Sequence, residues 1–183
     1  MRDLPEPFAE GPRTFLCPLR REDADEFTAL VRESEALHSP WLFPPAGPDA
    51  FAAYANVFAE DPAKLGHLVR TRDDGRIAGF ININNIVRGG FRSGALGYGA
   101  FAHAAGRGLM SEALGLVLGR AFGPLELHRL EANIQPGNAG SLALVRRAGF
   151  RREGYSPDFL FIDGAWRDHE RWAVTAEMWA RGR

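Results

Sequence analysis

The alternation of apolar and polar positions divides the chain into segments of two periods. "RTFLCPLR" (13–20) alternates as a strand, with Pro18 suited to an edge or bulge. "REDADEFTALVRES" (21–34) sets Phe27, Leu30 and Val31 at helical spacing behind an acidic first turn. The proline-rich "SPWLFPPAGP" (39–48) reads as a loop. "DAFAAYANVFAE" (49–60) places Phe51, Tyr54, Ala55 and Phe58 on one face, with Asp49 as the expected N-cap. Strands follow at 66–72 and 77–87 around the turn "DDGR", and a third at 95–101 after the Gly-rich "RGGFRSG". The pattern then gives a helix at 109–123, a strand at 128–135 and a helix at 139–149. Strand-like segments around Asp163-Gly164 close the chain. The resulting order, β-α-α-β-β-β-α-β-α-β-β, predicts a mixed α/β sheet.

Its 183 residues suit one domain over 1–183, with 1–11 as an irregular lead-in rich in Pro, Glu and Gly. The apolar share is 45% and the net charge is 22 − 23 = −1, so no basic excess points to nucleic acid. No apolar run approaches the ~18 residues of a membrane span. "MRDLPEPFAE" lacks the apolar core of a signal peptide. Cys17 is the only cysteine, which excludes an internal disulfide and a cysteine metal cluster. These features predict a cytoplasmic protein without a metal.

Two stretches carry candidate chemistry. In "AAGRGLMSEAL" (104–114), glycines 106 and 108 flank Arg107 where a helix begins, although glycine costs about 1 kcal/mol in a helix relative to alanine. The amides at a helix start lack internal partners and carry partial positive charge. Glycines there let an anion, typically a phosphate, reach them; a tight βα turn accounts for them as well. The pattern is neither G-x-G-x-x-G nor G-x-x-x-x-G-K-[ST], so a Rossmann or Walker site is not supported. In "NIQPGNAGSLALVRRAGF" (133–150), Asn138 and Ser141 lie three apart at another helix start, where an N-cap role is the simplest account.

Taken in order and spacing, these segments resemble the GNAT N-acetyltransferases, and within them the RimJ/RimL group, which acetylates N-terminal amines of ribosomal proteins. The resemblance runs from about residue 13 to the end. It is densest in "NIVRGGF" (85–91), "LGYGAF" (96–101), "GRGLMSEAL" (106–114), "HRLEANIQPGNAGS" (128–141), "AGFRREGY" (148–155) and "IDGAWRDH" (162–169). It implies a three-layer α/β/α fold with a splayed central sheet and acetyl-CoA as the acetyl donor. Tyr98, Gly99 and Ala100 would then pair with the pantetheine arm. The amides of Gly106, Arg107, Gly108, Leu109, Met110 and Ser111 would hold the pyrophosphate. Asn138 would bond the pantetheine, and Ser141 would sit near the thioester sulfur.

The chain departs from the family pattern at Ala105 and Met110, the first and last positions of the Gln/Arg-x-x-Gly-x-Gly/Ala loop. Because backbone amides do the binding, cofactor affinity is expected to survive. The tyrosine many relatives use as general acid is Val145 here, and the glutamate of some RimL-type relatives falls on Leu160. An α-amine, with a pKa near 8, is neutral roughly a tenth of the time at pH 7; a lysine amine is so about once in 2,500. A site without a strong base therefore suits a protein or peptide N-terminus. Glu131 is the expected carboxylate on a water chain, Ser141 the donor to the thiolate, and an amide near Ala100 the group polarising the carbonyl. His169, oriented by Asp168, is a weaker candidate. His38, Phe43 and Tyr155 are candidates for the acceptor cleft, and Arg146 and Arg147 for the nucleotide end. Cys17 shows no sign of activation.

An open, acid-lined groove would favour a peptide amine, and a closed aromatic pocket a small amine or antibiotic. A sensor that binds acyl-CoA without turnover is the non-enzymatic alternative. A monomer and a homodimer both fit the sequence.

Overall fold

In the computed structural model, which describes residues 6–182, the chain builds one eight-stranded sheet. Its strands are β1 (Ala9–Glu10), β2 (Thr14–Cys17), β3 (Leu65–Thr71), β4 (Ile77–Val87), β5 (Ser93–Ala100), β6 (Arg129–Ile134), β7 (Arg151–Ile162) and β8 (Ala165–Thr175). Their spatial order is β1-β2-β3-β4-β5-β6-β8-β7. All neighbours are antiparallel except β5 and β6. The helices are α1 (Ala24–Glu33), α2 (Glu35–His38), α3 (Pro48–Glu60), α4 (Leu109–Phe122), α5 (Ala139–Arg147) and α6 (Ala176–Arg181).

Strand alternation sends side chains to two cores, one on each sheet face. On one face Ile81, Ile83, Leu130, Ala132 and Ile134 pack with Leu109, Leu114 and Leu118 of α4 and Leu144 and Val145 of α5. On the other, Phe15, Cys17, Leu68 and Phe80 meet Phe27 of α1 and Phe51 of α3. The layers are therefore α/β/α, as expected. Behind α1, the buried Arg70 guanidinium pairs with Asp23 at 2.6 Å and donates to the Gly75 carbonyl at 2.6 Å. Both partners of that pair are almost fully enclosed, and Glu26 at 3.3 Å from Arg70 and Arg20 at 3.7 Å from Asp23 share their charge.

Four local expectations need correction. Ala9–Glu10 is a strand rather than part of an irregular lead-in, because Phe8 N–H donates to Leu16 C=O and Gly11 N–H to Thr14 C=O. Residues 1–5 of that lead-in lie outside the described residues. Helix α3 is capped by Gly47, with Pro48 at its first position, so Asp49 is a first-turn acid and not the N-cap. Pro18 follows β2 instead of interrupting it, and the paired part of that strand ends at Cys17. The chain also ends in α6, where Thr175 caps through its side chain to Met178 N–H.

The parallel pair decides where the site lies. β5 and β6 are in register from Ser93↔Arg129 to Leu96↔Ala132, and there pairing stops. β5 continues to Ala100 and β6 to Ile134. The two strands thus part into an open V.

Candidate active site

Backbone alternation in β5 determines what the V exposes. Phe101 N–H donates to Ala78 C=O, and Ala100 lies opposite Gly79. The peptide groups of Gly99 and Phe101 therefore face β4, and those of Tyr98 and Ala100 face the opening. Gly99 contributes something else: a Cβ there would run into Leu42 at 2.6 Å and the Phe80 ring at 3.0 Å.

The outer end of β5 is gripped by the segment around α2. Ala102 N–H donates to the Ser34 hydroxyl at 2.9 Å. His38 Nε2 lies 2.8 Å from the Ala100 carbonyl. A carbonyl only accepts, so Nε2 carries the hydrogen. With its carbonyl taken, Ala100 keeps its N–H for another partner.

Gly106 and Gly108 lead into α4 with φ of 74° and 76°, the left-handed region that disfavours side chains. Nothing lies within 4 Å of a Cβ built on Gly106, so the space before the helix is open. Arg13 ties this loop to the body. Its guanidinium donates to the Arg107 carbonyl at 3.0 Å and to Glu112 at 3.0 Å. Glu112 also accepts from Arg13 N–H, Thr14 N–H and the Thr14 hydroxyl.

On the other arm, Asn138 Oδ1 accepts from Ser141 N–H at 3.0 Å, the N-cap of α5. Ser141 faces the Tyr98 hydroxyl. Burial pushes that hydroxyl up to about 12, with Ser141 offsetting a little, yet it makes no hydrogen bond of ordinary geometry. An orphaned buried hydroxyl beside a serine leaves room for a further polar or thiol-bearing group.

These parts line a cleft of about 1030 Å³. Tyr98, Gly99, Ala100, Gly106, Gly108, Met110, Ser111, Asn138 and Ser141 all border it. Its second wall holds His38, Trp41, Asn84, Asn133, Phe159 and His169. Among the described residues, no aspartate or glutamate lines it. A hollow of similar size, about 1140 Å³, lies over the Arg70–Asp23 pair, and no part of the V borders it.

Glu131 falls outside the cleft lining. It sits opposite Ala95, where β5 and β6 are still paired, and its oxygens are held by Arg129 and Arg171 at 3.0 Å each. Asp168 does not orient His169: its oxygens accept from the Tyr155 hydroxyl and from Asp158 N–H. His169 Nδ1 lies instead 2.8 Å from the Arg167 carbonyl. Of the weaker candidates, Arg147 lines the cleft, Arg146 stacks over Trp172 at 5.2 Å, and Phe43 and Tyr155 are exposed away from the lining. Burial pushes Cys17 up to about 11, against the lowering effect of Arg70, which leaves an inert thiol. Among the described residues no group of three metal-ligating side chains occurs, and no helix is long and apolar enough to cross a membrane.

Sequence reasoning missed Phe159. Pairing slips between Ser156 and Leu160, making a bulge whose Asp158 has φ 46°. The bulge turns Phe159 onto His169, at 5.8 Å between ring centres, with Arg171 4.5 Å over the ring. The composition "SPDF" hints at a break but not at its direction.

The model of the acetyltransferase (GNAT) domain matches residues 13–151, and the chain belongs to that family. It is accordingly an acetyl-CoA-dependent N-acetyltransferase. The [ribosomal protein uS5]-alanine N-acetyltransferase of Escherichia coli (strain K12) is 37% identical over 139 residues, 76% of this chain and 72% of that one. The structure of Mycobacterium smegmatis RimJ in complex with CoA-disulfide superimposes with a TM-score of 0.83 at 29% identity, covering 91% and 87% of the two chains. The ribosomal-protein-S5-alanine acetyltransferase of Vibrio fischeri shares the fold, with a TM-score of 0.81 at 23% identity and 93% and 97% coverage.

Proposed function

We propose that the acceptor is the α-amine of a protein or peptide N-terminus, of the kind named for the Escherichia coli relative. The observation that carries this reading is the absence of carboxylates from the cleft lining among the described residues. A small polycationic amine would need such charges to offset its desolvation. A peptide brings one amine and then neutral amides, which the side-chain amide of Asn84 suits, as does the NH2 of Asn133, whose oxygen accepts from Arg171. The groove is wide but not lined with acids, against the expectation for a peptide amine, and its polar lining is made of amides instead.

On this reading the acetyl donor enters along the V. The Tyr98 and Ala100 backbone groups bond its pantetheine arm, and the amides from Gly106 to Ser111 take its pyrophosphate. The free Ala100 N–H polarises the thioester carbonyl. Ser141, beside the Tyr98 hydroxyl, hydrogen-bonds the departing sulfur. The chain works as one domain over 1–183.

The test is thiol release from acetyl-CoA with an acceptor panel. Peptides beginning with Ala, Ser or Met should be turned over, whereas N-terminally blocked copies carrying a free lysine should not. Release only with small amines or aminoglycosides would overturn the reading. Bound acetyl-CoA without release on any amine would favour a sensor.

A further inference from the structure

We propose that His169 is the catalytic proton acceptor, taking the proton from the attacking amine through its Nε2. This deepens the acetyltransferase reading and rests on it. The Arg167 carbonyl can only accept a hydrogen bond, so the Nδ1 it meets at 2.8 Å carries the hydrogen. Nε2 is left with a lone pair.

The side chain is 2% exposed and lines the cleft. Its Nε2 does not belong with the sealed, unpartnered nitrogens, whereas Nδ1 of His38 does. His38 has also spent Nε2 on Ala100. No lining carboxylate competes, and Glu131 is held by two guanidiniums deeper in the sheet.

Strand register puts His169 at the right height. Leu96 is level with Ala132, so Tyr98 is level with Ile134, which pairs with Glu170. β6 ends at Ile134, and β8 borders the opening from His169 back to Ala165. His169 is thus level with the segment between Tyr98 and Ala100, where the thioester carbonyl is held. Side-chain alternation puts it on the correct face. Leu130, Ala132 and Ile134 point toward α4 and α5, so Asn133 and its partner Arg171 point the other way, and His169 points with Arg171. Ser141 sits at the start of α5, on the first face. Proton removal and sulfur departure are therefore served from opposite faces of the sheet. Phe159, folded onto the His169 ring by the β7 bulge, fixes its plane.

The step balances as follows. The amine lone pair forms the N–C bond to the thioester carbon, and the carbonyl pair moves to oxygen against Ala100 N–H. Nε2 takes one N–H proton. Collapse breaks the C–S bond, the electron pair leaves on sulfur, and the thiolate gains a proton from solvent through Ser141. His169 returns its proton to solvent.

The experiment uses the full chain with whichever amine of the panel the unaltered enzyme acetylates. His169→Ala should lower kcat on the order of 100-fold or more, with acetyl-CoA affinity by calorimetry within about twofold of the unaltered enzyme's, since the donor-binding amides of β5 and α4 are untouched. Added imidazole should restore roughly tenfold or more of that loss. Thiazole, of similar shape but scarcely basic, should restore none. If His169→Ala fails to fold, His169→Gln carries the rate test, because its amide can still donate to Arg167. A kcat within about threefold of the parent in a variant that binds acetyl-CoA would overturn the proposal, as would equal rescue by thiazole. No turnover of any amine by the unaltered enzyme would instead refute the acetyltransferase reading beneath it.

Discussion

Replacing Glu112 with alanine should destabilise the fold and loosen the donor-binding loop together. Its carboxylate receives four hydrogen bonds between 2.8 and 3.0 Å, from Arg13 N–H, Arg13 Nε, Thr14 N–H and the Thr14 hydroxyl. The Arg13 side chain is 54% exposed, so its guanidinium rehydrates at little cost. Thr14 is fully buried and cannot. Two stranded donors at about 1–3 kcal/mol each give an expected loss of about 3 kcal/mol. Burial raises the Glu112 pKa, but the hydrogen bonds from Arg13 and Thr14 outweigh it and hold the carboxyl below the ordinary glutamate range. A depressed folded pKa means that this contribution is present above the unfolded value and is lost as pH falls through the folded one. Urea unfolding of the parent, Glu112→Ala and Glu112→Gln at pH 7 measures the cost, with glutamine losing less because it keeps one acceptor oxygen. Arg13 also holds the Arg107 carbonyl, so acetyl-CoA affinity should fall in parallel. A loss under about 1 kcal/mol with unchanged affinity would refute the claim that this carboxylate anchors the loop.

Three further outcomes are expected. His67 is fully buried, and burial, aided by the Arg120 charge and opposed by the Ile81 carbonyl, pushes it down to about 4. The unfolded chain binds that proton below about 6.5, so stability should fall by about 2 kcal/mol from pH 8 to pH 5, and a His67→Phe variant should lose less over that range by urea unfolding. Asn138→Ala removes the cap on Ser141 N–H and should cost about 1 kcal/mol in the same assay, with weaker acetyl-CoA binding by calorimetry. Cys17, with its pKa raised to about 11, should resist a disulfide reagent at pH 8 in the folded protein and react at once in urea, as followed by absorbance.

Legibility in the sequence followed the range of the interactions. β4 and α4 are each long enough for a period to show, and both lie where the pattern of "IAGFININNIV" and "LMSEALGLVLGRAFG" puts them. The two-residue β1 has no period to detect and exists only because β2 offers an edge. The cleft-lining residues of "LGYGAF" and "GRGLMS" were legible because one strand–loop–helix unit carries them, so their spacing is local. Glu131 looked available in the strand pattern. Its engagement depends on Arg171, forty residues on, and the level at which β5 leaves β6 is a tertiary property.

The histidines carry this point further, because for both of them chemistry depends on which ring nitrogen meets a carbonyl. His38 reaches Ala100 across 62 positions, and that contact makes the last residue of α2 the clamp on the donor strand. His169 points away from its sequence neighbour Asp168 because consecutive residues of β8 face opposite sides of the sheet, and on its own side Asp168 bonds the Tyr155 hydroxyl and Asp158 N–H. The Arg167 carbonyl sets the ring's tautomer without a charge, while the Asp168 carboxylate secures the bulge that carries Phe159 onto the ring. "WRDH" thus divides two tasks between adjacent residues: Asp168 shapes the wall of the cleft, and His169 is left with one free nitrogen facing it.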